Sequence, residues 1–353
     1  MMIDIKITRT SKSTLHEVDF SNLPFGKITS DHMFVADYKD GKWQNPRIEP
    51  VHELSLHPST MALHYGQTVF EGMKASITED GVPLLMRQEL HWERFNKSAH
   101  RMCMPEIPAD IFLGGLNALV YLEKDWIPKS VGSSLYLRPF MIATDAFIGV
   151  APSTEYKFII LTLPVGPYYA KPIKLLAEHK YVRAVRGGVG EAKNGGNYGG
   201  SLYPSKLARE KGFDQVLWLD AFNYEELQEV GTMNIFCVVN GKILTPSLDG
   251  AILDGITRKC AIEILKRKGF EVEERPITIH ELIDAHKAGT FTEMFGAGTA
   301  AVVSNIDKLC YKDVEMNFSH DNFVISNLVK NEINGLRNGS IPDVYHWFVP
   351  AKG

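Results

Sequence analysis

Seven glycines crowd into the fourteen residues from Gly187 to Gly200, with Lys193 among them. Backbone that dense in glycine can take positive φ and lie close against a ligand, at a cost in chain entropy. Such a stretch is not written for the interior of a helix or strand, so it is expected as a loop. A lysine within it reaches outward past little side-chain bulk. The segment is not a P-loop, because no GxxxxGK[ST] string fits. A GxGxxG reading from Gly188 puts Lys193 where the last glycine belongs. Taken alone, the stretch reads more readily as a surface loop with a solvated lysine.

The rest of the chain decides between those readings. Its 353 residues allow two domains or one large one. The apolar fraction of 44% and charged fraction of 23% are those of an ordinary globular protein. The net charge is −4, and no basic run is long enough to serve as a nucleic-acid stripe. The cysteines at 103, 237, 260 and 310 form no CxxC pair. Their apolar surroundings predict buried free thiols in a reducing compartment, with no metal site. The first residues carry no apolar core of signal-peptide length. Runs such as Phe158–Val165 are strand-sized and too short to span a bilayer. A cytoplasmic protein with neither nucleic-acid nor membrane partners is expected.

The pattern predicts an α+β fold with mixed, mostly antiparallel strands. Residues 1–30 read as an extended arm. Hairpins are expected at Asp40-Gly41, Asp80-Gly81 and Asn240-Gly241. Helical periodicity covers Gln88–Met104, Ala109–Glu123, Tyr203–Lys211, Thr257–Lys268 and Asn322–Arg337. Thr278 and Glu281 form a capping box for another helix. Strands are expected at Ser134–Ile142, Tyr156–Leu163 and Gln215–Asp220. The Pro/Gly-rich string PVGPYYAKP, Pro164–Pro172, points to a linker, bounded at 166–177. It separates a small N-terminal α/β domain (1–165) from a larger C-terminal one (178–353).

Three segments offer hydroxyl and backbone N–H donors at turns: Gly231-Thr232-Met233-Asn234, Gly255-Ile256-Thr257 and Gly296-Ala297-Gly298-Thr299. The second opens a helix, whose N-terminus suits a phosphate. Each can also be no more than a cap or a turn. Glu229 precedes a strongly apolar strand, so it is either a solvated strand end or a buried acid facing a cation. Arg138 sits inside a strand (SLYLRPF), where a guanidinium needs an ion pair or a bound carboxylate. A lysine, a buried acid, helix-end donors and arginines together suit pyridoxal 5'-phosphate (PLP). That cofactor needs a Schiff-base amine, a charged partner for its ring nitrogen and an anion cradle.

Several strings then point to one family. LHYGQTVFEGMKA, YLRP, YVRAVRGGVGEAKNGGNYGGS, DQVLWLD, EVGTMNIF and FGAGTA occur in the order found in branched-chain amino-acid aminotransferases, PLP enzymes of fold type IV. The chain resembles their longer branch from about Phe25 to Ala300. The resemblance implies that Lys193 is the Schiff-base lysine and proton shuttle, that Glu229 faces the ring nitrogen and that Tyr198 faces the ring hydroxyl. It implies a phosphate site of Arg94, Ile256, Thr257 and Thr299, with Arg183 against the cofactor. Thr232 and Ala300 would meet the substrate carboxylate, and Thr232 the cofactor as well. Phe25, Tyr65, Phe70, Tyr136 and Tyr168 would wall the side-chain pocket, with Ile148 and Val150 reaching in from the second subunit of a homodimer. Arg138 would either bind the side-chain carboxylate of glutamate or brace that wall. The implied activity is ping-pong transfer of the amino group of L-leucine, L-isoleucine or L-valine to 2-oxoglutarate. D-Amino-acid aminotransferase and aminodeoxychorismate lyase share the frame, and a PLP-binding protein without turnover is a further alternative. The CxxC pair of the mammalian enzymes is replaced here by Ala300-Ala301-Val302-Val303.

Overall fold

The computed structural model describes residues 3–130, 132–168 and 171–352. It comprises two units: Met1–Tyr168 with Ala192–Gly195 and Asn334–Gly353, and Tyr169–Glu191 with Gly196–Ile333. The first unit opens with β1 (Lys6–Ile7), β2 (His32–Lys39), β3 (Lys42–Pro50), α1 (Met61–Tyr65), β4 (Thr68–Phe70), β5 (Met73–Ile77), β6 (Pro83–Met86), α2 (Gln88–Arg101), α3 (Ala109–Leu122), β7 (Ser134–Ala143) and β8 (Tyr156–Val165). Then follow β9 (Ile173–Ala177), α4 (Gly195–Glu210), β10 (Gln215–Leu219), β11 (Leu227–Val230), β12 (Met233–Val239), β13 (Lys242–Thr245), α5 (Ile256–Arg267) and β14 (Val272–Glu274). The chain continues through α6 (Ile279–Lys287), β15 (Phe291–Gly298), β16 (Val302–Tyr311), β17 (Val314–Asn317) and α7 (Val324–Asn338), and ends in β18 (Phe348–Pro350).

In the first unit the strand order is β1-β3-β2-β8-β7-β5-β6-β18, with β4 also on β7. Its core is aromatic. Phe95, Phe112 and Phe158 meet with ring centroids 5.5 Å apart. Helix α3 comes close to the sheet because Gly115 has no side chain: a Cβ there would fall 2.6 Å from the Phe34 ring. In the second unit β11, β10, β9, β16, β15 and β12 close into a ring, since β11 also pairs with β12. Strand β9 is parallel to both of its neighbours, and the other four pairings of the ring are antiparallel. Leu175, Leu217, Ile235, Met294 and Leu309 are fully buried in this unit's core.

Turn chemistry works as expected. Asp40-Gly41 and Asn240-Gly241 take positive φ and join β2 to β3 and β12 to β13. Thr278 caps α6 by accepting from the Glu281 N–H at 3.1 Å.

Four expectations need correcting. Ile173–Ala177, expected within a linker, is β9, held by parallel neighbours on both sides. The last twenty or so residues do not belong with the second unit, because β18 pairs with β6 of the first. Gly195–Gly200 is not loop but the opening of α4. Each glycine costs such a helix about 1 kcal/mol relative to alanine. A methyl group at Gly195 would lie 3.0 Å from Thr68 Cγ2, a tight contact that the glycine avoids. Finally, Cys103 is exposed: it takes φ +53° just past the end of α2, while Cys237, Cys260 and Cys310 are buried.

Candidate active site

In the first unit Lys193 is fixed by its backbone. Its N–H donates to Ser98 Oγ at 2.9 Å, and its carbonyl accepts from the Phe70 N–H at 2.9 Å. Ser98 Oγ donates in turn to the Arg94 carbonyl at 3.0 Å. Asn194, the next residue, bridges to Val69. The lysine is thus stitched to α2 on one side and to β4 on the other. Its Nζ lies 4.8 Å from the centroid of the Phe70 ring, a cation–π distance.

Beneath it lies a buried charge cluster that the sequence reading missed. Arg94 gives Nε and Nη2 to the two Glu71 oxygens at 2.7 and 2.8 Å. His91 Nδ1 lies 2.8 Å from Glu71 Oε2. Burial alone would raise the Glu71 pKa, but Arg94 and His91 hold it well below the usual carboxylate range. Burial lowers that of His91, helped by the charges of Arg94 and Lys193 against the pull of Glu71, so the imidazole is neutral and donates through Nδ1. The available signal was the spacing of His91, Arg94 and Ser98, which puts all three on one face of α2. Their carboxylate partner comes from a distant strand end.

Three of the aromatic residues expected to wall the pocket pack together within the same unit. Phe25 packs edge-on against Tyr136 and Tyr168, with centroids 5.1 and 5.0 Å away. Arg138 Nη2 donates to Tyr136 Oη at 2.9 Å, and its guanidinium lies 4.7 Å from the Phe70 centroid. Its Nε is buried with no hydrogen-bond partner among the described residues. Gly72 is needed here, because a Cβ would fall 2.3 Å from Tyr136 Oη. Tyr65, Ile148 and Val150 are exposed.

The second unit holds the acid. Glu229 lies on β11, opposite Asn234 of β12. Its Oε2 pairs with Arg183 Nε at 2.9 Å and its Oε1 accepts from the Leu253 N–H at 2.7 Å, with both side chains almost fully buried. Arg183 spends its other nitrogens on the carbonyls of Ala251 (3.0 Å) and Gly190 (3.3 Å). It therefore props Glu229 and ties down the glycine-rich segment. Asn234 Nδ2 donates to the Leu253 carbonyl at 2.9 Å. Its Oδ1 leaves no room for a side chain at Gly255, where a Cβ would fall 1.8 Å away.

That glycine opens α5, so the first-turn N–H groups of Ile256 and Thr257 have no partner within the helix. Thr299 and Ala300 form the turn after β15, whose Ala297 opposes Asn234. Thr232 is exposed between β11 and β12, beside Gly231 at φ +53°. Tyr198 lies on α4, half-buried.

The residues present fit the expected cofactor. Lys193 offers a primary amine on a fixed backbone. Glu229 is a buried carboxylate held by a guanidinium and an amide. The opening of α5 offers N–H donors at the positive end of a helix. Among the described residues no three His, Cys, Asp or Glu side chains cluster as a metal site. No helix there is long and apolar enough to cross a membrane.

The amino-transferase class IV family model matches residues 68–309. A branched-chain-amino-acid aminotransferase of Bacillus subtilis is 47% identical over 98% of this chain and 96% of its own length. The crystal structure of the Escherichia coli branched-chain amino acid aminotransferase superposes with a TM-score of 0.74 at 25% identity, covering 91% of this chain and 99% of that one. The T.th. enzyme of the same name, complexed with N-(5'-phosphopyridoxyl)-L-glutamate, gives 0.71 at 25% identity, covering 90% and 98%. The chain belongs to the class IV amino-transferases, in the branched-chain-amino-acid aminotransferase family.

Proposed function

We propose that this protein transfers the amino group of L-leucine, L-isoleucine or L-valine to 2-oxoglutarate, with pyridoxal 5'-phosphate as cofactor. The observation that carries this reading is near-half identity to a branched-chain-amino-acid aminotransferase along almost the whole chain. The local geometry of Lys193 and Glu229 supports it.

When bound, the cofactor supplies a carbonyl carbon that condenses with amines and a ring that accepts the electrons left when a Cα–H bond breaks. The chain's own groups do the rest. Lys193 would hold the cofactor through its amine and would take the substrate's α-proton and return it, as general base and acid. Glu229, paired with Arg183, would face the ring nitrogen, and Tyr198 would face the ring hydroxyl. Arg94, Thr257, Thr299 and the N–H of Ile256 hold the phosphate. Thr232 and Ala300 receive the substrate carboxylate. Phe25, Tyr65, Phe70, Tyr136 and Tyr168 exclude water from the side-chain pocket. Burying a leucine-sized group there is worth roughly 2 kcal/mol. Arg138 receives the second carboxylate of glutamate and 2-oxoglutarate. Its buried, unpartnered Nε supports that role.

A second copy of the chain completes the pocket. Ile148 and Val150 are 63% and 90% exposed, which is unusual for a pair of aliphatic side chains on one loop. Sedimentation should therefore show a homodimer. The four free cysteines suit a reducing cytoplasm.

A panel of L-amino acids with 2-oxoglutarate tests the activity. Turnover of leucine, isoleucine and valine is expected, and it should vanish in Lys193→Ala. Turnover of D-alanine with none of L-leucine would overturn the assignment.

A further inference from the structure

Between β1 and β2 the chain makes a loop whose ends are tied and whose middle is not. Thr10, Ser13 and Thr14 lead into it, and Ser30, Asp31 and His32 lead out. The Asp31 carboxylate accepts from Ser13 Oγ at 2.6 Å, from the Thr14 N–H at 3.0 Å and from Thr14 Oγ1 at 3.2 Å. The Thr10 N–H donates to His32 Nε2 at 2.8 Å. A ring nitrogen that accepts carries no proton, so the imidazole is held with its proton on Nδ1, which donates to the buried Glu123. On the exit side the Ser30 N–H donates to the Thr162 carbonyl at 2.8 Å. Val18 and Ile28 pack against the first unit's core.

The residues between those two, 19–27, are held differently. None of them is buried. Among the described residues, their hydrogen bonds go only to one another: Ser21 and Asn22 donate to Asp19, and Lys27 donates to Pro24. The segment can therefore lift without breaking a hydrogen bond to the rest of the unit. Its contact with the pocket wall is a single ring. Phe25 lies edge-on to Tyr136 and Tyr168 and keeps 39% of its surface exposed. That ring has apolar area left to bury against something else.

We propose that residues 19–27 are a lid on the side-chain pocket, hinged at Val18 and Ile28, and that Asp31 and His32 are positioning residues that tie its two ends together. A bound aliphatic side chain closes the lid by covering the free part of Phe25. A long branched chain gains that contact, and a methyl group is too short to make it. The clamp itself is read from hydrogen bonds alone, while the identity of the occupant rests on the proposed function.

Lys27 puts a tryptic site inside the lid, and this allows a test that needs no turnover. Holoenzyme is treated with trypsin, and cleavage after Lys27 is followed by mass spectrometry. The probes are 2-oxo-4-methylpentanoate, the oxo acid of leucine, and pyruvate, that of alanine; neither carries an amino group to transfer. At saturation the first should slow cleavage about tenfold and pyruvate should leave it nearly unchanged. Without ligand, Asp31→Ala should speed cleavage about fivefold, because proteolysis follows the population of the open form. The same change should raise KM for leucine severalfold at nearly constant kcat. His32→Gln keeps an acceptor for Thr10 and a donor for Glu123, so it should be cleaved like wild type, whereas His32→Leu should be cleaved as fast as Asp31→Ala. Should His32→Leu fail to fold, Asp31→Ala, outside the core, still decides. The proposal is overturned if Asp31→Ala and wild type are cleaved alike, if the two oxo acids protect equally, or if His32→Gln and His32→Leu behave alike. Leucine turnover by wild type is measured first, so a failure of the proposed function shows there and not in the cleavage rates of the unliganded variants.

Discussion

Lys193 and Glu229 are held in opposite ways. The lysine is clamped at its backbone, by a serine hydroxyl and a strand N–H, while its amine lies over an aromatic ring. The glutamate is clamped at its head, by a guanidinium and an amide on separate oxygens. A group that must carry a proton between two atoms needs a fixed root and a swinging tip. A group that must hold a charge steady needs a fixed tip. Under the proposed function, the contacts of each side chain match its task.

The comparison breaks first at the lysine. Lys193→Ala should cost a factor of about 10⁴ or more in leucine turnover while far-UV circular dichroism stays unchanged. A loss below a hundredfold would mean that the Lys193 amine is not the reactive group. Glu229→Gln keeps the volume but leaves Arg183 buried without its counter-charge. Thermal unfolding should report a loss of about 3–5 kcal/mol alongside lost activity. An unchanged Tm would show that the clamp on the acid is not electrostatic.

Glu71 is a second clamped head and sharpens the point through pH. Its folded pKa lies below the ordinary value of 4.5. Its contribution is therefore present above that value and lost as pH falls through the folded one. Glu71→Gln should destabilise by about 3 kcal/mol at pH 7. The gap from wild type should stay constant down to about pH 5 and narrow below it. A gap that widened in acid would reverse the assignment.

Ser98→Ala tests the fixed root. The Lys193 N–H would lose its acceptor, at a cost of about 1–3 kcal/mol. If the root matters, kcat should fall roughly tenfold with little change in the KM for leucine, that being about 1.4 kcal/mol of barrier. Arg138→Leu should have the smallest effect. It should raise KM for 2-oxoglutarate about tenfold and leave that for leucine nearly unchanged. Equal rises for both would assign Arg138 to the wall alone.

What sequence could and could not show follows the same division. Turns whose residues need positive φ, Asp40-Gly41 and Asn240-Gly241, were legible because the requirement is local. So was the Thr278 cap. Lys193 and Glu229 stood out through motif and context. The groups that hold them did not. Ser98 lies 95 residues from Lys193, and Leu253 lies 24 from Glu229. Glu71, at a strand end, gives no periodic signal of its partnership with α2. Strand β9 was hidden by the prolines before it and by its length of five residues. The glycines of α4 misled because propensity counts their cost to a helix, while the Cβ clearance at Gly195 belongs to tertiary packing.

The return of the chain to its first sheet has a consequence for biogenesis. Strand β18 closes the open side of β6, with the Ala351 N–H donating to the Pro83 carbonyl at 2.9 Å. That sheet, begun within the first fifty residues, gains its border only when the ribosome has made some three hundred more. Until then the nascent β6 border offers unpaired amides to any passing strand. Chaperone demand during translation should therefore centre on the early-made half of the polypeptide.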